Sequence, residues 1–120
     1  MEIKQKSERD LNSIDQHKPG AKLDLGKPRL ALVLGAFARA LWAVGEVGTF
    51  GANKYSPNGW LSVPEWEERY RNAEWRHILK EAMGQEDDEE TNLLHAAHHA
   101  WNALATLEKM LREKEAKNDA

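Results

Sequence analysis

From Thr91 to Leu107 the chain carries not one Asp, Glu, Lys or Arg, although 31% of its 120 residues are charged. A surface helix puts charge on its outer face. A charge-free run of this length therefore predicts a helix enclosed on both sides. Leu93, Ala97, Ala100, Leu104, Leu107 and Leu111 recur at spacings of four and three. At about 100° per residue they fall in one apolar seam. His95, His98 and Asn102 recur at spacings of three and four on the opposite side. The helix, expected from about Glu89 to Lys114, thus has an apolar seam and a His/His/Asn seam.

Buried polar groups need partners. Two imidazoles and an amide on one enclosed face imply a hydrogen-bonded core, a subunit interface or a ligand site. Imidazoles three residues apart can converge on one metal ion or one phosphate. Just upstream, Asp87, Asp88, Glu89 and Glu90 offer hard oxygen ligands suited to Mg²⁺ or Mn²⁺. The same acids would also complement the dipole of a first helical turn.

The preceding helix begins at a capping box, Ser62 with Glu65 three residues on and Pro64 between, and stops at Gly84. It presents Glu74, His77 and Glu81 on one face. Arg69 and Arg76, seven apart, point to one side where both can hold phosphate. An earlier helix starts at Pro28, a good first-turn residue, and runs through LALVLGAFARALWAVGEV to a cap at Gly51. The loop 51–60, GANKYSPNGW, is rich in turn residues and carries Tyr55 and Trp60. No segment alternates with a strand period, so the fold class is all-α: a small bundle of three to four helices. Residues 1–19 read as a flexible arm, 20–114 as the domain and 115–120 as a flexible tail.

Composition removes several function classes. A net charge of -3 argues against a duplex DNA binder. The absence of cysteine excludes disulfides, zinc fingers, iron–sulfur clusters and thiol nucleophiles. No apolar run approaches the roughly 20 residues that span a bilayer. The polar start, MEIKQKSERD, lacks a signal-peptide core, and the expected location is cytoplasmic.

The motifs also occur in a telling order. Gly20-x-Lys22-x-Asp24-x-Gly26-Lys27-Pro28-Arg29 is followed by Thr49-Phe50-Gly51-Ala52-x-Lys54-Tyr55 and Asn58-x-Trp60. Then come Arg69, Arg76-His77, Gly84, Asp88-x-Glu90 and His95-x-x-His98-x-x-x-Asn102. This series, over about residues 20–108, resembles the N-terminal domain family of phage dATP/dGTP diphosphohydrolases. The resemblance implies a MazG-like, all-α, oligomeric, Mg²⁺-dependent enzyme. Its reaction would convert a purine deoxynucleoside triphosphate and water to the monophosphate and pyrophosphate. The chain departs from MazG-like enzymes in lacking their paired E-x-x-E and E-x-x-D; Glu74-x-x-His77 and His95-x-x-His98 stand at comparable spacing. Gly84-Gln85 replaces the family's Gly-Glu, and Leu32-Val33-Leu34-Gly35 stands in place of its Leu-x-Pro-Pro.

On that reading Asp88, Glu90, His95 and His98 bind Mg²⁺ or Mn²⁺, and His77, Asp88 and Glu90 act in catalysis. Lys27, Lys54, Arg69 and Arg76 clamp the phosphates. Tyr55, Trp60 and Asn102 contact the base. The alternatives are a binding protein on the same scaffold that sequesters nucleotide signals of host defence, and a purely structural protein. Helices seamed on opposite sides cannot cover themselves in 120 residues, so a homo-oligomer (dimer, tetramer or hexamer) is expected.

Overall fold

A computed structural model describes residues 8–119. These residues are all-α. The helices are α1 (Leu30–Gly35), α2 (Ala38–Lys54), α3 (Trp66–Ala82) and α4 (His95–Asp119), with a 3₁₀ turn at Gly59–Ser62 between α2 and α3. Among them there is no strand, and no helix is long and apolar enough to cross a membrane. The chain divides after Ala36 into two compact units.

The N-terminal unit is organised by Asp10. Its Oδ1 accepts from the backbone N–H of Asn12 at 2.7 Å and of Ile14 at 3.1 Å, and its Oδ2 accepts from Lys22 N–H at 2.7 Å. The Lys22 bond leads in holding this carboxyl below the usual range. Residues 8–19, part of the expected flexible arm, contain local turns; residues 1–7 of that arm lie outside the described residues. Lys27 pairs with Glu8 at 3.2 Å in this unit. The single helix expected from Pro28 is in fact two. α1 ends at Gly35 and α2 begins at Ala38. Glycine in a helix interior costs about 1 kcal/mol relative to alanine, which makes Gly35 a weak point.

In the second unit α2 overruns the expected stop at Gly51 and ends at Lys54. A glycine stops a helix by adopting positive φ. Gly51 does not, and its carbonyl accepts from Tyr55 N–H at 2.9 Å. The start of α3 also differs from expectation. Proline disfavours a helical residue before it, and Val63 is accordingly extended at φ -69°, ψ 120°. Ser62 therefore closes the 3₁₀ turn, and α3 begins at Trp66 with no side-chain cap. The stop at Gly84 is as expected. Gly84 has φ +99°. Its N–H donates to Glu81 O at 2.9 Å, and Gln85 N–H donates to Lys80 O at 3.0 Å. That bond pair is the Schellman motif.

Residues 86–95 are a tight hairpin rather than the first turns of α4. Asp88 N–H donates to Leu93 O at 2.8 Å, Asn92 N–H to Asp88 O at 2.8 Å, and His95 N–H to Glu86 O at 3.0 Å. α4 consequently starts at His95, not Glu89, and it continues through Asp119, beyond the frayed end expected from residue 115.

α3 and α2 both pack on α4. Trp101 of α4 is the hub. Its ring meets Trp60 edge-on at 5.7 Å and Tyr70 at 6.2 Å between centroids. Its Nε1 would lie 3.1 Å from a Cβ at Gly48, so the missing side chain lets α2 approach α4. Tyr70 donates its hydroxyl to Trp60 O, and Lys109 Nζ donates to Leu61 O at 2.7 Å. These bonds pin the 3₁₀ turn to α3 and α4.

The two seams of α4 are both present, with unequal burial. The polar seam faces inward: His95 is 1% exposed, His98 8% and Asn102 5%. The apolar seam is mixed in the single chain: Ala97 is buried, whereas Leu104 is 46% and Leu107 52% exposed. Leu104, Leu107, Leu111 and Val44 line a groove of about 320 Å³ beside Trp60 and Trp101. The expectation of a helix enclosed on both sides therefore holds for one side of this chain.

Candidate functional site

The inward seam of α4 meets α3 and the hairpin at one cluster. His77, on α3, and His95, at the first turn of α4, approach with Nδ1 to Nδ1 at 2.8 Å. His95 Nε2 lies 2.6 Å from Gln85 Oε1. His77 stacks on His98, ring centroids 4.4 Å apart and planes 9° from parallel. Asp88 completes the set: one ligand atom from each of His77, Asp88 and His95 lies within 4.8 Å of the others. Three elements distant in sequence are brought together by the Schellman turn and the hairpin.

Asp88 is buried and held by its own loop. Oδ2 accepts from Glu90 N–H at 3.1 Å, Thr91 N–H at 3.0 Å and the Thr91 hydroxyl at 3.2 Å. Burial pushes its pKa up, but the Thr91 bonds and the nearby His98 outweigh burial and hold it below the ordinary value. It is therefore a carboxylate at neutral pH. Thr91 Oγ1 also meets His98 Nε2 at 2.7 Å, and His98 Nε2 is 3.9 Å from Asp88 Oδ2. Burial, reinforced by His98, pushes His77 down to about 4, and burial likewise lowers His98. Both imidazoles are neutral at pH 7, the state in which a ring nitrogen can ligate a metal.

Acid unfolding checks these assignments. The folded pKa of His77 and of His98 lies below the ordinary 6.5, so the unfolded chain takes up protons first as pH falls. Stability should be flat above about pH 7 and decline from 6.5 towards 4. The Asp88 contribution, present above its ordinary 3.8, is lost only below that. Urea midpoints measured from about pH 8 to about pH 4 should show this slope, and His77→Asn should flatten part of it. A midpoint unchanged across the range would contradict the burial of neutral imidazoles.

Glu90 is exposed and turned to Lys54, Oε1 to Nζ 2.7 Å; that contact leads in raising the Lys54 pKa. Lys54 also sits 5.4 Å over the Tyr55 ring, itself 78% exposed. Arg69 donates to Pro64 O at 3.2 Å, and Arg76 is exposed on α3 beside His77. Trp60 is engaged with Trp101. Asn102 donates Nδ2–H to His98 O at 2.9 Å. Lys27 belongs to the N-terminal unit. His99 pairs with Glu74 at 2.8 Å outside the cluster. Gln85 and Thr91 contact the cluster; the sequence marked Gln85 only as a departure from the family's Gly-Glu and gave Thr91 no role. Their one signal is position, at the two ends of the acidic turn.

What the arrangement can do follows from its donors. Two imidazoles and one carboxylate, held by neighbours, are donors that could hold a metal ion. No curated protein and no solved structure matches the chain. The family described as dATP/dGTP diphosphohydrolase, N-terminal, matches residues 17–119, which include every residue of this cluster. With its helices and its His/Asp/His cluster inside the matched span, the chain belongs to the dATP/dGTP diphosphohydrolase N-terminal domain family.

Proposed function

We propose that the protein is a metal-dependent nucleotide pyrophosphohydrolase that takes dGTP or dATP and water to the monophosphate and pyrophosphate. The observation that carries this is the convergence of His77, Asp88 and His95 within 4.8 Å on an enclosed face, in a chain of a family described by that reaction. A dication held there would supply Lewis acidity to the phosphate oxygens and to the attacking water. His98 would lend its stacked ring and its bond to Thr91 to fix His77 and the hairpin. Glu90, at the rim, is a further carboxylate for Mg²⁺ or Mn²⁺ once Lys54 turns to a phosphate. Arg76 and Arg69 would add charge from α3, and exposed Tyr55 a face for the base.

Incubation with dGTP or dATP and Mg²⁺ or Mn²⁺, followed by chromatography, tests the reading. The expected products are monophosphate and pyrophosphate, lost on adding EDTA. Intact triphosphate would overturn it. One observation favours a second reading: the enclosed set holds a single carboxylate, Asp88. A nucleotide-sequestering protein on this scaffold would show ligand-induced thermal stabilisation with no turnover.

The protein is also proposed to be a homo-oligomer. Trp75 and Leu79 of α3 and Met83 at its C-cap recur every four residues and are 53%, 52% and 78% exposed. With the leucine groove, these exposed apolar side chains are a surface that a second copy would cover. Sedimentation should give a multiple of 13.7 kDa; a monomer would rule the assembly out.

A further inference from the structure

The donor set says which kind of ion it takes, and the hydrogen bonds say how the ion is admitted. This inference rests on the reading of the cluster as a metal centre. Two Nδ1 atoms 2.8 Å apart must be one donor and one acceptor. Gln85 decides which. Its Oε1 is an acceptor 2.6 Å from His95 Nε2, so that nitrogen carries the proton. With its proton on Nε2, His95 presents Nδ1 as the acceptor towards His77, and the shared proton belongs to His77 Nδ1. A neutral imidazole exchanges tautomers by moving its proton to the other nitrogen. When His77 does so, two bare Nδ1 atoms face each other with no net proton gained or lost.

We propose that a first-row transition-metal dication binds on this His77 Nδ1–His95 Nδ1 edge, with Asp88 as third ligand and Gln85 as the positioning residue that keeps His95 Nδ1 bare. At metal–nitrogen bonds of about 2.1 Å, adjacent ligands of an octahedral ion lie about 3.0 Å apart and those of a tetrahedral ion about 3.4 Å apart. The observed 2.8 Å is close to the octahedral edge; the two Nδ1 atoms now point at each other, so both rings must turn until their lone pairs converge on the ion. Asp88 takes all three of its loop bonds on Oδ2, which leaves Oδ1 for the ion. Mg²⁺ seeks oxygen ligands, whereas imidazole suits the later metals. Two of the three ligands here are imidazole, so the site selects Mn²⁺ or Co²⁺ over Mg²⁺. Gln85 reaches the site because the Schellman turn at Gly84 reverses the chain directly behind α3.

The full chain, stripped with EDTA, is titrated with CoCl₂ by absorbance and calorimetry, then in competition with MgCl₂. The expected result is one Co²⁺ per chain with a six-coordinate, nitrogen-containing ligand-field spectrum, bound at least about tenfold more tightly than Mg²⁺. His95→Ala should abolish it. Gln85→Ala should weaken Co²⁺ by roughly 10–100-fold in a chain that still folds, with a lowered melting temperature because buried His95 Nε2–H loses its acceptor. Gln85→Glu, which keeps an acceptor oxygen, should restore binding. Mg²⁺ bound as tightly as Co²⁺ would overturn the metal assignment, and Co²⁺ affinity unaltered in Gln85→Ala would overturn the positioning role. Hydrolysis of dGTP with Mg²⁺ and no Co²⁺ binding would sink this inference and leave the activity standing. Co²⁺ bound as described with no triphosphate turned over would do the reverse.

Discussion

Asp88→Asn is expected to abolish turnover while leaving the fold intact. Asparagine keeps an acceptor oxygen for the Glu90 and Thr91 N–H groups, which now bond Oδ2 at 3.1 and 3.0 Å. The hairpin therefore survives, and the lost charge assistance should cost no more than about 1–2 kcal/mol of stability. What disappears is the only carboxylate in the enclosed His77–Asp88–His95 set. A metal centre contributes several kcal/mol to the transition state, so kcat/KM for dGTP should fall by roughly 10²–10⁴-fold. Steady-state kinetics beside a thermal melt measures both quantities. An Asp88→Asn protein that folds and retains activity within about twofold would show that Asp88 holds no catalytic ion. Alanine is the poorer substitution, because it also removes the acceptor on which the hairpin is wound.

The largest effect on stability is expected at Trp101, with no part in the chemistry. Its ring joins four elements: Gly48 of α2, Trp60 of the 3₁₀ turn, Tyr70 of α3 and its own α4. Trp101→Ala should cost about 3 kcal/mol, the low end of the range for a large aromatic because the ring is only half-buried. Edge-on aromatic pairs contribute about 0.5–1.5 kcal/mol each beyond area alone. The measurement is a urea titration at neutral pH, read as a change in midpoint at constant slope. A loss below about 1 kcal/mol would mean that the aromatic cluster is not the core of this unit. The comparison with Asp88→Asn separates the two networks, since one should change rate at nearly constant stability and the other stability first.

The helical class, the stop at Gly84 and the grouping of His95 with His98 and Asn102 were all legible in the sequence, and for local reasons. Periodicity is a property of neighbours on one helix, and a glycine free to take positive φ needs only its own turn. The family resemblance, read from motif order, was legible too and agrees with the match over residues 17–119. Where local signals failed, a competing local or tertiary term won. Gly51 carries no positive φ, so α2 runs on to Lys54. Pro64 holds Val63 extended and displaces the Ser62 cap. The hairpin bonds of Asp88, Asn92 and His95 take up the residues expected to open α4.

The sequence by itself determined which side chains share a face of α4: leucines on one side, His95, His98 and Asn102 on the other. Tertiary structure decided which face turns inward, because burial depends on what stands opposite and not on the periodicity of the helix itself. The imidazole face is the buried one because α3 brings His77 and the turn brings Gln85, Asp88 and Thr91 to satisfy it. His77 and His95 are eighteen residues apart. Their contact is set by a chain reversal whose partners no spacing rule connects, and it is that contact which turns a polar seam into a candidate metal centre.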